Sequence, residues 1–157
     1  MWQSSTRCCE HASPGGVSNL AAPQRDEAER VIAHLILSDP ILIVAADRLL
    51  AGADTVTVTV DNRHTMDDDA IATLLTSLSH PERIHALNHN ASELIDRHRR
   101  IPDTAAAATT VRLLLHARHG QLTNQSTTTW TELLTARADQ HLPGHARTLR
   151  RIAGPRS

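Results

Sequence analysis

The sequence predicts a mostly α-helical protein: a helical bundle with one short β-strand, followed by a C-terminal three-helix module. Three observations lead to this fold class. Apolar side chains recur at helical spacing over most of the 157 residues, proline and glycine mark the expected helix ends, and only one good segment alternates with a period of two. Phe, Tyr and Lys are absent and Trp occurs twice, so Leu, Ile, Val and Ala must build the core.

A polar tail precedes the first two predicted helices. Residues 1–22 have no apolar period, which predicts a flexible tail. Helix one begins at Pro23, because proline suits the first helical position. Asp39 and Pro40 predict a stop and a restart, with helix two running from Pro40 to Ala51. The all-apolar start of helix two predicts that it is buried or lies in an oligomer interface.

One strand and two more helices follow in the prediction. Val alternates with Thr over residues 55–60, a pattern typical of a strand, and a second copy of the chain is the expected pairing partner. Helix three is predicted over about residues 67–78, with three aspartates at its positive end. Residues 79–82 have capping-box spacing and begin helix four, which ends near Arg100.

The charges divide the chain into an acidic domain and a basic module. Residues 1–102 contain nine Arg and fourteen Asp or Glu, a net charge of −5, whereas residues 103–157 contain seven Arg and three Asp or Glu, a net charge of +4. We therefore predict an acidic helical domain over 23–102 and a basic module over 103–157. A basic half is typical of a nucleic-acid partner, although scatter in a small sample is the alternative interpretation.

Three helices, numbered five, six and seven, are predicted in the basic module over about residues 105–118, 130–140 and 145–153. Helix seven separates an apolar stripe, which includes Leu149 and Ile152, from a basic one. The basic residues are Arg147, Arg150 and Arg151. Because Arg binds phosphates and reads guanine edges, these three are the predicted nucleic-acid-binding residues and double-stranded DNA is the predicted partner. An ordinary solvated basic face is the alternative.

The same segment carries a resemblance to a known family. The runs WTELL at 130–134, LP at 142–143 and ARTLRRI at 146–152 resemble the C-terminal helix-turn-helix of phage and plasmid primase-helicase proteins. The resemblance covers about residues 105–153 and implies the helices of a winged-helix-like DNA-binding module. It implies no primase or helicase activity, because no phosphate-binding Gly-rich loop precedes it.

A second DNA-binding interpretation uses the lone strand. A strand followed by two helices resembles ribbon-helix-helix repressors, which pair the strand across a dimer and insert it into the major groove. The readers would be Thr55, Thr57 and Thr59. The alternative is a strand that pairs inside an ordinary α+β fold.

Histidine is frequent, at 11 residues, and predicted helix four carries an i, i+4 pair. His85 and His89 share a stripe with Glu82 and Glu93, which is a possible geometry for metal binding. The order His-Glu-x-x-His is absent and the stripe is polar, so we predict that this pair forms no functional metal site. No metal ligand, no cofactor and no catalytic residue is predicted.

Two observations bear on the cellular location. Cys8 and Cys9 are adjacent and form no secreted disulfide framework. No apolar signal core follows Met1, and the longest apolar run, residues 41–46, is too short to span a bilayer. A cytoplasmic protein with no membrane partner is therefore expected.

The favoured function is non-enzymatic DNA binding, as in a transcriptional or plasmid or phage regulator that forms a homodimer or larger homo-oligomer. One alternative is a helical protein–protein adaptor or oligomerisation protein that binds no nucleic acid. The other is a histidine-based metal-binding protein.

Overall fold

The computed structural model describes residues 19–52 and 57–154. The predicted tail over 1–22 lies mostly outside the described residues, as do Cys8, Cys9 and Thr55. The helices are α1 (Ala22–Leu50), α2 (Asp68–Ser77), α3 (His80–Arg100), α4 (Asp103–Ala108), α5 (Trp130–Ala136) and α6 (Leu142–Ala153). The strands are β1 (Thr57–Asp61), β2 (Thr110–His116) and β3 (Leu122–Thr129), and a π-helical segment, Arg137–His141, joins α5 to α6.

The mostly α-helical fold is confirmed, and local signals place two helix starts correctly. The Asp67 side chain accepts hydrogen bonds from the backbone N–H groups of Asp69 and Ala70 at the start of α2. The backbone N–H of Ser79 donates to Glu82 Oε2 at 2.7 Å at the start of α3, which is half of the predicted capping box. Among the described helices, none has the length and apolar character that crossing a bilayer requires.

The prediction of two separate helices before residue 52 is wrong, because α1 continues through Pro40. Proline removes the backbone donor that would bond the carbonyl of Ile36. Asn90 of α3 supplies a replacement, since its Nδ2 donates to that oxygen at 3.2 Å. Asp39 does not cap a helix but is buried and ion-paired with Arg137.

The prediction of a single strand is also wrong, because the described residues form a three-stranded sheet in the order β1-β2-β3. Half of predicted helix five, residues 110–116, is β2, in which Val111, Leu113 and Leu115 alternate along one face, whereas its start lies in α4. The polar stretch that follows is β3. As an edge strand it has a largely exposed face and needs no apolar pattern.

The partner of β1 lies in the same chain. β1 pairs parallel with β2 in the register Thr57↔Thr110, and β2 pairs antiparallel with β3. The expected pairing across a dimer is therefore wrong, and the ribbon-helix-helix alternative, which needs a two-stranded intermolecular ribbon, does not fit. Thr57 and Thr59 lie exposed on the outer face of the sheet.

The predicted break between helices six and seven is absent. α5, the π segment and α6 follow one another with helical backbone angles at both junctions, so no turn separates them. The N–H of Leu142 bonds the carbonyl of Arg137, five residues back. Pro143 follows directly, so its missing N–H falls where the bonding pattern already changes. The three-helix arrangement of a helix-turn-helix is not formed by residues 103–153.

α1 is the centre of the molecule. One side packs on α3 through Ile32, Leu35, Ile36 and Leu87. Another side packs on the sheet, α4 and α5, around a fully buried Trp130. Elements on both sides of the predicted boundary at residue 102 therefore share one sheet and one core.

Candidate metal centre

Three histidines from distant parts of the sequence meet beside α1. They are His34 on α1, His141 at the end of the π segment and His145 in α6. One ring nitrogen from each lies within 4.8 Å of those from the other two. The Nε2 atoms of His141 and His145 are 3.2 Å apart. Two ligands bonded at 2.0–2.1 Å to one tetrahedral ion are about 3.3 Å apart, so this pair already has the required spacing.

The helices hold the three rings in place. His141 and His145 are four residues apart and share a face, because the chain stays helical from the π segment into α6. Their helix is tied to α1 by the ion pair of Arg137 with Asp39 and by that of Arg151 with Glu27, at 2.9 Å. The second of these pairs is exposed, so the buried Asp39 contact contributes more to the positioning.

A hydrogen bond to the backbone orients His34 so that its Nε2 is free to bind an ion. Its Nδ1–H donates to the carbonyl oxygen of Thr65 at 3.0 Å. That bond leaves the lone pair on Nε2, the nitrogen available to an ion, and restricts rotation of the ring. Backbone carbonyls commonly orient metal-binding histidines in this way.

All three imidazoles are neutral at pH 7, which ligation requires. Burial lowers the pKa of His141 to about 3 and that of His145 to about 4. Burial also lowers the pKa of His34, although its bond to Thr65 opposes the change. The positive charge of Arg137 lowers the pKa of all three further.

Arg137 contacts the cluster directly, with Nη1 3.3 Å from Nδ1 of His141. A guanidinium only donates, so Nδ1 of His141 accepts and its Nε2–H faces Nε2 of His145. Ligation of an ion through Nε2 of His141 would require the neutral tautomer that is protonated on Nδ1, and Arg137 would keep its ion pair with Asp39.

The cluster borders an open cleft of about 590 Å³. Most of its wall is apolar and comes from four elements, α1, β1, β2 and α5. The wall includes Ile41, Leu42, Val60, Leu113, Leu115 and Leu133. His34 and His145 also border a second cleft of about 310 Å³, lined by Glu27, Arg30 and Arg118.

A fourth histidine, His116, lines the larger cleft. The register of β2 and β3 shifts between Leu115 and His116, which lets two consecutive side chains face the same cavity. Nδ1–H of His116 donates to the carbonyl of Gly120 at 3.1 Å. Its Nε2 is 3.2 Å from Asp61 Oδ1 but lacks hydrogen-bond alignment, and the side chain is only 1% exposed.

The histidine pair singled out in the sequence lies elsewhere. His85 and His89 are exposed on α3, with parallel rings whose centroids are 6.5 Å apart. Within the described ranges, the trio of His34, His141 and His145 is the one histidine and carboxylate cluster of metal-binding geometry.

The predicted DNA-binding arginines, Arg147, Arg150 and Arg151, are all exposed on α6, while Ile152 on its other side is buried. Arg151 is paired with Glu27. The structure therefore shows the predicted orientation of α6, and the role of these arginines stays a prediction.

The sequence pattern could have indicated two of the three histidines of the trio. His141 and His145 have i, i+4 spacing, but Pro143 and Gly144 lie between them and predicted a chain break. His34 is more than a hundred residues away, and only the packing of α1 against α6 brings it close.

Comparison with models of protein families, with curated proteins and with solved structures finds no match for this chain. The comparisons therefore do not test the resemblance to primase-helicase proteins, and the three-helix module that it implies is not formed by residues 105–153.

Proposed function

We propose that this protein binds a divalent transition-metal ion through His34, His141 and His145, and that the preferred ion is Zn²⁺. The observation that carries the proposal is the convergence of three neutral imidazoles from two packed helices. Chance surface histidines have neither the carbonyl bond of His34 nor the burial that keeps the rings uncharged.

The donor set favours zinc over the common hard cations. Imidazole suits Zn, Cu, Ni and Fe, whereas Mg²⁺ and Ca²⁺ take oxygen ligands. Three histidines leave the fourth tetrahedral position open. Structural zinc sites are usually closed by four protein ligands, and sites that act on another molecule keep one position for it. The cleft beside the trio is where that molecule enters. A zinc ion there would act as a Lewis acid and lower the pKa of bound water.

The test is a titration of the metal-free protein with Co²⁺, followed by calorimetry with Zn²⁺. A four-coordinate Co²⁺ site with three imidazoles gives intense visible absorption, and Zn²⁺ should displace it with one ion bound per chain. His141→Ala and His145→Ala should each weaken binding at least tenfold, the lower range for lost support of a metal site.

The matched control is the double variant His85→Ala with His89→Ala, which removes two exposed histidines with the same spacing. It should bind Zn²⁺ like the parent. An equal loss of Zn²⁺ affinity in the trio variants and in this control would contradict the proposal. No binding by the parent protein at micromolar Zn²⁺ would contradict it as well.

DNA binding through α6 is a second proposal, supported by the exposure of all three of its predicted arginines. Arg151 already pairs with Glu27, so Arg147 and Arg150 would make the main phosphate contacts. Replacing Arg147, Arg150 and Arg151 by Ala should lower the salt dependence of duplex binding by about one unit per lost contact. Arg99→Ala with Arg100→Ala, on exposed positions of α3, is the control. Unchanged affinity of the triple variant would defeat this proposal.

A further inference from the structure

We propose that the 590 Å³ cleft binds a small molecule with an anionic head and an apolar chain, such as a medium-chain carboxylate. The head occupies the open position of the metal, so this inference rests on the proposed function. The cleft lies within the size range of small-molecule sites, about 300–1,000 Å³.

The walls select the chain of the ligand. Leu113 and Leu115 of β2 form one side of the cleft, and Ile41 of α1 and Leu133 of α5 form others. Each methylene placed between such side chains leaves water and gains about fourfold in affinity. A polar ligand such as a sugar would leave most of its hydroxyls without partners on these walls.

The charge balance selects the head. Three neutral imidazoles leave the two positive charges of the ion uncompensated, and no carboxylate belongs to the trio. The carboxylate of Asp39, which contacts Arg137 beside the trio, is already neutralised by the guanidinium. An anion at the fourth position therefore removes net charge from a half-buried site, which a neutral head does not.

Two polar side chains also line the cleft, and neither is a free donor for the anionic head. His116 lines the cleft with a buried Nε2 that has no aligned hydrogen bond. Asn62 lines it as well, and its Oδ1 accepts from the backbone N–H of His116 at 2.6 Å. Because the proton of His116 is on Nδ1, its Nε2 is an acceptor, which a hydroxyl on the ligand's chain could satisfy but a carboxylate head could not.

The test uses zinc-loaded protein and straight-chain carboxylates from acetate to octanoate, with affinity measured by calorimetry. Affinity should rise about fourfold per methylene until the cleft is filled. Removing the zinc, or using His141→Ala, should abolish the binding of the short acids.

The outcomes separate the two proposals. Zinc binding without any rise along the acid series overturns the ligand class and leaves the metal site standing. Octanoate that binds equally with and without zinc overturns the anchoring of its head at the metal. Failure to bind zinc at all overturns the proposed function itself.

Two variants at adjacent positions of β2 test where the alkyl chain of the ligand lies. Leu115 faces the cleft, and Leu114 lies on the opposite face of the strand. Leu115→Trp should weaken octanoate binding about tenfold, the equivalent of nearly two methylenes, and leave acetate unchanged. Leu114→Trp should change neither. Zinc binding by each variant shows that it is folded, and an unchanged octanoate affinity in Leu115→Trp would refute this location.

Discussion

Asn90 of α3 donates a hydrogen bond to the carbonyl oxygen of Ile36, the acceptor that Pro40 leaves without a backbone donor in α1. The bond joins two helices that pack along each other. It also explains why a proline at the centre of a 29-residue helix does not end it.

Replacing Asn90 should destabilise the protein, because Pro40 provides no backbone donor for the carbonyl of Ile36. We expect Asn90→Ala to lower the free energy of unfolding by about 1–3 kcal/mol, because a buried carbonyl loses its donor. Urea denaturation measures it, and Asn88→Ala, an exposed neighbour on α3, is the control. In a Pro40→Ala background the backbone donor returns, so Asn90→Ala should cost less. Equal costs in the two backgrounds would show that the bond does not compensate for the proline.

Removing one partner of the buried ion pair between α1 and α3 should destabilise the protein. Arg83 Nε is 2.9 Å from Glu29 Oε2, both side chains are about one-tenth exposed, and Arg83 also donates to the carbonyls of Leu75 and Leu78. Arg83→Met should cost about 3 kcal/mol, the lower end for a broken buried pair, because Glu29 stays buried with only the contact of its Oε1 with His80 Nδ1 at 2.7 Å. Arg99→Met removes an exposed arginine of the same helix and should cost less than about 1 kcal/mol. Similar costs for the two would contradict the importance of burial.

The metal-free protein should lose stability in acid because of the trio. The folded pKa is about 3 for His141 and about 4 for His145, below the usual 6.5. The unfolded chain therefore binds more protons in this window, so this contribution is complete above pH 6.5 and is lost as the pH falls toward 3.

Thermal unfolding in chelator from pH 7.5 to 4 measures this contribution. The variant His141→Gln with His145→Gln should show a shallower loss. Burial raises the pKa of Asp39, which acts in the opposite direction, so the difference between parent and variant isolates the imidazoles. If the melting temperature of parent and variant fell equally with pH, the fold would not be keeping these rings neutral.

Zinc should raise the melting temperature. At a free concentration one hundred times the dissociation constant the expected gain is about 2.7 kcal/mol, or roughly 5–10 °C for a chain of this size. Chelator should reverse the shift, and His34→Ala should prevent it. The double variant His85→Ala with His89→Ala should keep the full shift, as the sequence predicted for a pair without a metal site. A shift that depends on His85 and His89 instead would move the site to α3.

The sequence by itself determined the features that depend on neighbours along the chain. The predominance of helix, the aspartates at the start of α2, the paired Ser79 and Glu82, and the outward arginines of α6 were all predicted from patterns within a few residues. Such interactions form within one or two helical turns, so the residues in contact are also close in the sequence and a local pattern reveals them.

The tertiary structure alone decided the rest. α1 passes through Pro40 because Asn90, fifty residues away, supplies a donor. β2 is a strand because β1 offers it a parallel partner, which outweighs the helical pattern of residues 105–118. The trio forms because the packing of α6 on α1 brings His34 to His141 and His145. Contacts of this kind join residues whose separation along the chain carries no periodicity, so no local pattern records them.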